Sequence, residues 1–98
     1  MIFSNINKLI SRNPGCRIVD VRTPDEYRMG HIPGAVNIPN ETITNTPPLV
    51  LPDKDELILV YCLSGMRASQ AVKKLKKMGY NQTVNAGGIN SWQGEIEK

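Results

Sequence analysis

The run ELILVY (56–61) constrains the fold more than any other stretch, because its apolar residues are consecutive rather than alternating. A strand with two apolar faces must be covered on both, which is typical of a central strand in a parallel sheet. Two other β-branched runs, RIVDV (17–21) and QTVNA (82–86), predict neighbouring strands, and AVNIP (35–39) predicts a fourth.

Helical patterns separate these runs. Asn5 to Arg12 carries apolar residues at helical spacing, and Pro24 to Met29 begins with proline after Thr23, a candidate N-cap. A third helix follows ELILVY and ends at Gly79; its apolar stripe is Ala68, Ala71, Val72, Leu75 and Met78. The alternation predicts an α/β fold with a central, mostly parallel sheet flanked by helices.

The length and composition predict one compact domain over residues 1–98, since 98 residues with 40% hydrophobic content suit a single small core. The proline-containing segment 40–55 is interpreted as a surface connection with room for one helical turn. The N-terminus lacks the pattern of a signal peptide, and no apolar run approaches the length of a membrane span. We therefore expect a cytoplasmic protein without membrane association, whose two cysteines, Cys16 and Cys62, are reduced.

The basic residues are concentrated in one stretch. The formal charge is +3, and five of the twelve basic residues lie in RASQAVKKLKKMG. This is too little for a nucleic-acid footprint, so no nucleic-acid partner is predicted. The four lysines are interpreted as a solvated helix face, and the alternative is a docking patch for an acidic partner protein.

Cys62 ends the predicted central strand, where ligands bind in open α/β sheets. The segment from Leu63 to Arg67 turns into the following helix, so its backbone amides and the helix dipole can favour an anion. Gly65 supplies conformational freedom, and Arg67 adds a permanent cation. These features indicate a thiolate nucleophile at Cys62 rather than a cysteine that only packs.

The spacing between the cysteine and the arginine separates two chemistries. Cysteine phosphatases typically carry a C-x5-R pattern. Its loop is one residue longer than C-x4-R, and the wider ring of backbone amides holds a phosphate group. This sequence has C-x4-R, from Cys62 to Arg67. The shorter loop makes a tighter cradle, which favours one additional sulfur on the cysteine over a phosphate.

Three blocks of the chain resemble rhodanese-like single-domain sulfurtransferases: DVRTPDEYRMGHIPGAVNIP (20–39), VYCLSGMRASQAVKKLKKMGY (60–80) and VNAGGINSWQGE (84–95). The resemblance implies that Cys62 carries a persulfide, stabilised by the loop of Leu63, Ser64, Gly65, Met66 and Arg67. Sulfane sulfur would pass from a donor such as thiosulfate to cyanide or a thiol. No cofactor or metal is implied.

The resemblance leaves the partners and two rival functions open. A small thiol, a thioredoxin-like protein or another sulfur-carrier protein is the implied acceptor. Because Leu63, Ser64 and Met66 are neutral, Arg67 is the only cation of the loop, which leaves room for a persulfide donor in place of thiosulfate. The alternatives are a cysteine-dependent phosphatase or arsenate reductase, and a non-catalytic interaction module.

Further matched residues are interpreted mainly as structural. Asp20 and Arg22 end the first strand near Cys62, where an ion pair would brace the loop or orient a substrate. Glu26 and His31 are expected to pin the turn before AVNIP. The remaining expectations are a tight turn at Gly87 and Gly88, a core anchor of a final helix at Trp92, and a packing role for Cys16.

Overall fold

The computed structural model describes residues 6–98. The described chain has four strands and three α-helices, and two short 3-10 turns follow the second and fourth strands. In chain order the elements are α1 (Ile6–Arg12), β1 (Arg17–Asp20), α2 (Pro24–Met29), β2 (Val36–Asn37), a 3-10 turn (Asn40–Thr42), β3 (Ile58–Cys62), α3 (Met66–Lys77), β4 (Thr83–Gly88) and a 3-10 turn (Ile89–Ser91). The predicted α/β architecture is confirmed. Asn5, the first residue of the predicted N-terminal helix, lies outside the described residues.

The four strands form one parallel sheet in the order β2-β1-β3-β4. β3 is an inner strand and all five of its residues are buried, as the consecutive apolar run predicts. Asp20 pairs in register with Tyr61, and Cys62 pairs with Gly88. The carboxyl ends of β1, β3 and β4 therefore meet at one edge of the sheet.

The core has two layers, one on each face of the sheet. Successive side chains of a strand point to opposite faces, so Ile58, Val60 and Cys62 pack with α3, whereas Leu59 and Tyr61 pack on the side of α1. Each fully buried aliphatic side chain contributes about 1.5–3 kcal/mol relative to exposure. This two-sided burial holds β3, and hence Cys62 at its end, in a fixed position.

The start of α2 carries a complete capping box. The Thr23 side chain accepts a hydrogen bond from the Glu26 amide, and the Glu26 carboxylate accepts one from the Thr23 amide. Pro24 occupies the first helical position, where no amide donor is needed. The predicted N-cap is confirmed, and such a cap typically contributes about 1 kcal/mol.

The connection 40–55 is not entirely a surface segment. Leu49 is 97% exposed, but Ile43 and Leu51 are buried in the core layer beside α3. The Tyr80 hydroxyl donates to the Leu51 carbonyl at 2.6 Å, which ties the segment to the chain after α3. The prolines break the regular pattern, yet these two apolar residues are part of the core beside α3.

The C-terminal prediction was wrong in two respects. The expected final helix is only the 3-10 turn Ile89–Ser91. Trp92, after that turn, packs half-buried against the core layer beside α1, as predicted, and its indole N–H donates to the Glu95 carbonyl. Gly87 and Gly88 belong to β4 rather than to a strand-to-helix turn. Gly87 has φ of 95° beside a bulge that follows Asn85, a conformation that favours glycine.

Candidate active site

Cys62 lies between the end of β3 and the start of α3. Its side chain is buried, with 1% of the residue exposed, and Sγ accepts a hydrogen bond from the Gly65 amide at 2.9 Å. Gly65 has φ of 109°, a left-handed conformation that lets the chain turn back toward the sulfur. Only three residues, 63–65, lie between β3 and α3. Met66 and Arg67 therefore already belong to the first turn of α3.

Strand β4 and the residues after it hold the loop after Cys62 by hydrogen bonds to its carbonyl groups. The Asn85 side-chain amide donates to the Gly65 carbonyl at 3.0 Å, and the Asn90 amide donates to the Leu63 carbonyl at 3.4 Å. A Cβ atom at Gly88 would lie 2.0 Å from the Leu63 oxygen. Gly88 is therefore required for the close approach of two backbones, a role that the sequence analysis assigned to a turn.

Arg67 forms a two-point ion pair with Glu26. Its Nη1 lies 2.6 Å from Oε1 and its Nη2 lies 3.0 Å from Oε2, which joins the first turns of α3 and α2. Hydrogen bonding from Arg67 lowers the pKa of Glu26 to about 2. The cation of the loop is thus neutralised by a carboxylate that the sequence analysis had assigned only to a turn.

The same contact acts on the arginine. Hydrogen bonding to Glu26 raises the pKa of Arg67, and the charges of Glu26 and Cys62 add smaller contributions in the same direction. The Thr23 hydroxyl also lies 3.1 Å from Glu26 Oε1. The guanidinium is held in one orientation near the sulfur by a carboxylate that the helix cap has already positioned.

Asp20 and Arg22 form a second, more deeply buried ion pair beside the loop. Arg22 Nη2 lies 2.7 Å from Asp20 Oδ2 and also 2.7 Å from the Gly30 carbonyl oxygen. The Tyr61 hydroxyl donates to the Asp20 carboxylate at 2.8 Å and accepts from the Ile32 amide at 3.1 Å. Burial raises the pKa of Tyr61, so the hydroxyl stays a donor. These contacts favour a bracing role.

His31 contacts a different part of α2. Its ring stacks on Tyr27 with centroids 3.7 Å apart, and its Nδ1 lies 2.9 Å from the Tyr27 carbonyl oxygen. Its backbone pairs with Glu97 in an isolated bridge. The contacts agree with the expected role of His31 in holding the turn after α2.

The exposed residues that follow Cys62 in the loop are uncharged. Leu63 is 49% exposed and Met66 is 75% exposed, and Ser64 between them is exposed. Cys62 itself is buried, so these exposed residues form the accessible surface of the loop that follows it. This surface agrees with the neutral loop read from the sequence, and its cation, Arg67, is half-buried in the ion pair.

Both cysteines are free thiols, and they have different surroundings. Cys16 is half-buried against the core layer beside α1, which confirms its packing role, and burial raises the pKa of its thiol. Within residues 6–98, no three His, Cys, Asp or Glu side chains form a group suited to a metal ion. No helix of the described part is long and apolar enough to cross a membrane.

Comparisons with known proteins agree with this geometry. The thiosulfate sulfurtransferase PspE of Escherichia coli is 39% identical over 71 residues, covering 72% of this chain and 68% of that protein. The thiosulfate:glutathione sulfurtransferase of Saccharomyces cerevisiae is 30% identical, covering 92% of this chain and 74% of that protein. In the longer adenylyltransferase and sulfurtransferase uba4 of Ogataea parapolymorpha, 36% identical, the match spans only 21% of the protein.

Solved structures give the same result. The structure described as rhodanese with anions from E. coli is 35% identical, with a TM-score of 0.76, over 84% of this chain and 96% of that chain. The SSP1007 structure from Staphylococcus saprophyticus is 30% identical, with a TM-score of 0.81, over 100% of both chains. The family description for the rhodanese-like domain matches residues 5–95. The chain therefore belongs to the rhodanese-like domain family.

Proposed function

We propose that this chain is a rhodanese-type sulfurtransferase that carries sulfane sulfur as a persulfide on Cys62. The observation that carries the proposal is the hydrogen bond from the Gly65 amide to Cys62 Sγ, at the start of α3. This backbone N–H is directed at the sulfur, where a sulfur anion can accept its hydrogen bond. The relatives named as sulfurtransferases support the same activity.

The loop has further donors for a second sulfur. The first amides of an α-helix have no acceptor within the helix, and in α3 these belong to Met66, Arg67 and Ala68. They lie at the positive end of the helix dipole. A persulfide extends the anion by one S–S bond of about 2.05 Å, and the loop Leu63, Ser64, Gly65, Met66 and Arg67 is proposed to hold it.

The first half-reaction loads the enzyme. The Cys62 thiolate attacks the outer sulfur of thiosulfate, a bond forms between the two sulfurs, and the S–S bond of the donor breaks. The electron pair of that bond leaves with sulfite, and Cys62 becomes a persulfide anion. No proton must be removed during the attack, so the step needs no general base.

The second half-reaction unloads the sulfur. A nucleophile attacks the outer sulfur of the persulfide, and the bond to Cys62 Sγ breaks with its electron pair returning to the thiolate. Cyanide would become thiocyanate, and a thiol would become a persulfide. The exposed apolar rim of Leu63 and Met66 supports a thiol acceptor, either a small molecule or a thioredoxin-like or other sulfur-carrier protein.

Asp20 and Arg22 are proposed as bracing residues rather than substrate ligands. Their side chains contact each other, and the ion pair also contacts Tyr61 and the Gly30 carbonyl. The pair would fix the end of β1 against β3 and so hold the loop. A reducing compartment such as the cytoplasm is the proposed location, because the reaction requires a free thiol at Cys62.

Turnover with small substrates tests the proposal. Thiocyanate formed from thiosulfate and cyanide is measured for the unchanged protein, for Cys62→Ser and for Cys16→Ser. We expect activity in the first and third proteins and none in the second. Hydrolysis of a phosphate ester or reduction of arsenate that depends on Cys62, without sulfur transfer to any acceptor, would instead support the rival anion chemistry.

A further inference from the structure

A cleft of about 490 Å³ lies at the C-terminal end of α3, away from the cysteine loop. Ile43, Thr44, Asn45, Lys74, Lys77 and Met78 line it. Lys77 is eleven residues beyond Met66, which places it roughly 16 Å along the helix axis from the start of α3. The proposed sulfur chemistry uses none of these residues.

The C-terminal half of α3 is strongly basic. α3 contains no acidic residue, while Lys73, Lys74, Lys76 and Lys77 lie within its last five residues. Among residues 6–98, these lysines take part in none of the ion pairs found. Lysines three and four positions apart on a helix repel each other. An acidic occupant would relieve that repulsion.

One wall of the cleft is already fixed. Lys74 Nζ donates to the Asn40 carbonyl at 2.8 Å and to its side-chain oxygen at 3.1 Å. Both acceptors are neutral, so the positive charge of Lys74 is anchored but not cancelled. Lys77 is exposed on the same side of the helix, three residues later.

The cleft also has apolar walls, which argues for a polypeptide rather than a simple anion. Ile43 and Met78 contribute apolar surface, and methionine adapts readily to different side chains. Apolar side chains beside lysines match a chain segment in which acidic and apolar residues alternate.

We infer that this cleft, lined by Lys74 and Lys77, docks an acidic polypeptide segment carrying apolar side chains. Nucleic acid is the less suitable occupant, because the lining has no aromatic side chain on which a base could stack. The inference goes beyond the proposed function and does not depend on it, since docking is measured directly and the cleft lies at the far end of α3 from Cys62.

A labelled peptide of alternating glutamate and leucine is a direct probe. Its binding is followed by fluorescence anisotropy, and the amide signals that it shifts are mapped by NMR. We expect saturable binding, weakened by salt, with shifts at 43–45 and 74–78. Lys77→Glu should weaken binding about tenfold, because one attractive contact becomes repulsive, and Lys77→Ala should weaken it less.

The control variant Arg12→Glu has the same change of net charge on an exposed residue of α1 and should bind normally. Thiocyanate formation should be unchanged in all three variants. Equal binding by Lys77→Glu and Arg12→Glu, or shifts confined to other surfaces, would overturn the inference. Tighter binding of a single-stranded RNA of equal length would also overturn it, since the occupant would then be nucleic acid.

Discussion

Arg67 and Glu26, which lie 41 residues apart in sequence, are joined by two hydrogen bonds of 2.6 and 3.0 Å. This pair connects the start of α3, where the Cys62 loop ends, to the capped start of α2. It orients the cation of the loop and at the same time cancels its charge. The loop is consequently held firmly while remaining nearly neutral toward an approaching donor.

Replacing the carboxylate tests this balance. Glu26→Gln can keep the capping contacts, because glutamine also serves in a capping box, but it frees the charge of Arg67. We expect the KM for thiosulfate, a dianion, to fall about threefold and the free energy of unfolding to fall by about 1 kcal/mol. Steady-state kinetics and urea unfolding give both values.

Asp25→Asn is the matched control for that substitution. It removes one negative charge from the neighbouring residue, whose side chain is exposed and pairs with Arg28. We expect little change in KM or stability. If Asp25→Asn lowered the KM as much as Glu26→Gln, net charge alone would explain the effect.

The acid stability of the protein should depend on the same pair. Hydrogen bonding from Arg67 lowers the pKa of Glu26 from its ordinary 4.5 to about 2. The contribution of the pair is therefore complete above pH 4.5 and is lost as the pH falls toward about 2. The difference in unfolding free energy between the unchanged protein and Glu26→Gln should shrink over this range. A difference that stays constant with pH would contradict the assignment.

Asn85 should influence the sulfur chemistry without contacting the sulfur. Its amide donates to the Gly65 carbonyl, and its side-chain oxygen accepts from the Gly87 amide. We expect Asn85→Ala to slow persulfide formation about tenfold and to cost about 1–2 kcal/mol of stability. Rapid-quench measurement of the first half-reaction gives the rate of persulfide formation, and urea unfolding gives the stability. Asn81→Ala, on an exposed residue, should change neither value.

Gly88 should tolerate no side chain. A Cβ atom there would lie 2.0 Å from the Leu63 carbonyl oxygen, so two backbones would have to separate. We expect Gly88→Ala to cost roughly 3 kcal/mol or more and to abolish sulfur transfer. Gly15→Ala is the control: its φ is 84° but a Cβ would meet nothing within 4 Å, so only strain of about 1 kcal/mol is expected. Thermal unfolding of both variants compares the costs.

The sequence predicts the sheet and the place of Cys62 well, because these follow from local patterns. The consecutive apolar residues of β3 require burial on two faces, and the glycine and arginine after Cys62 indicate a turn into a helix. The residues from other parts of the chain that contact the loop could not be predicted in this way. Asn85 and Glu26 reach it from other elements, so their contacts depend on the register of β4 and the position of α2.

The predicted final helix failed for a related reason. A final helix was expected around Trp92, but the chain makes one 3-10 turn, Ile89–Ser91, within which the Asn90 amide donates to the Leu63 carbonyl. This contact with the cysteine loop is not visible in a local sequence pattern.

The intact mass of the protein after exposure to a sulfur donor tests the central claim most directly. Thiosulfate and a small-molecule persulfide are each incubated with the protein, followed by a thiol. We predict a mass gain of one sulfur atom that a thiol removes, that persists in Cys16→Ser and that is absent from Cys62→Ser. A protein that gains no sulfur from either donor, or gains it equally in Cys62→Ser, would contradict the account.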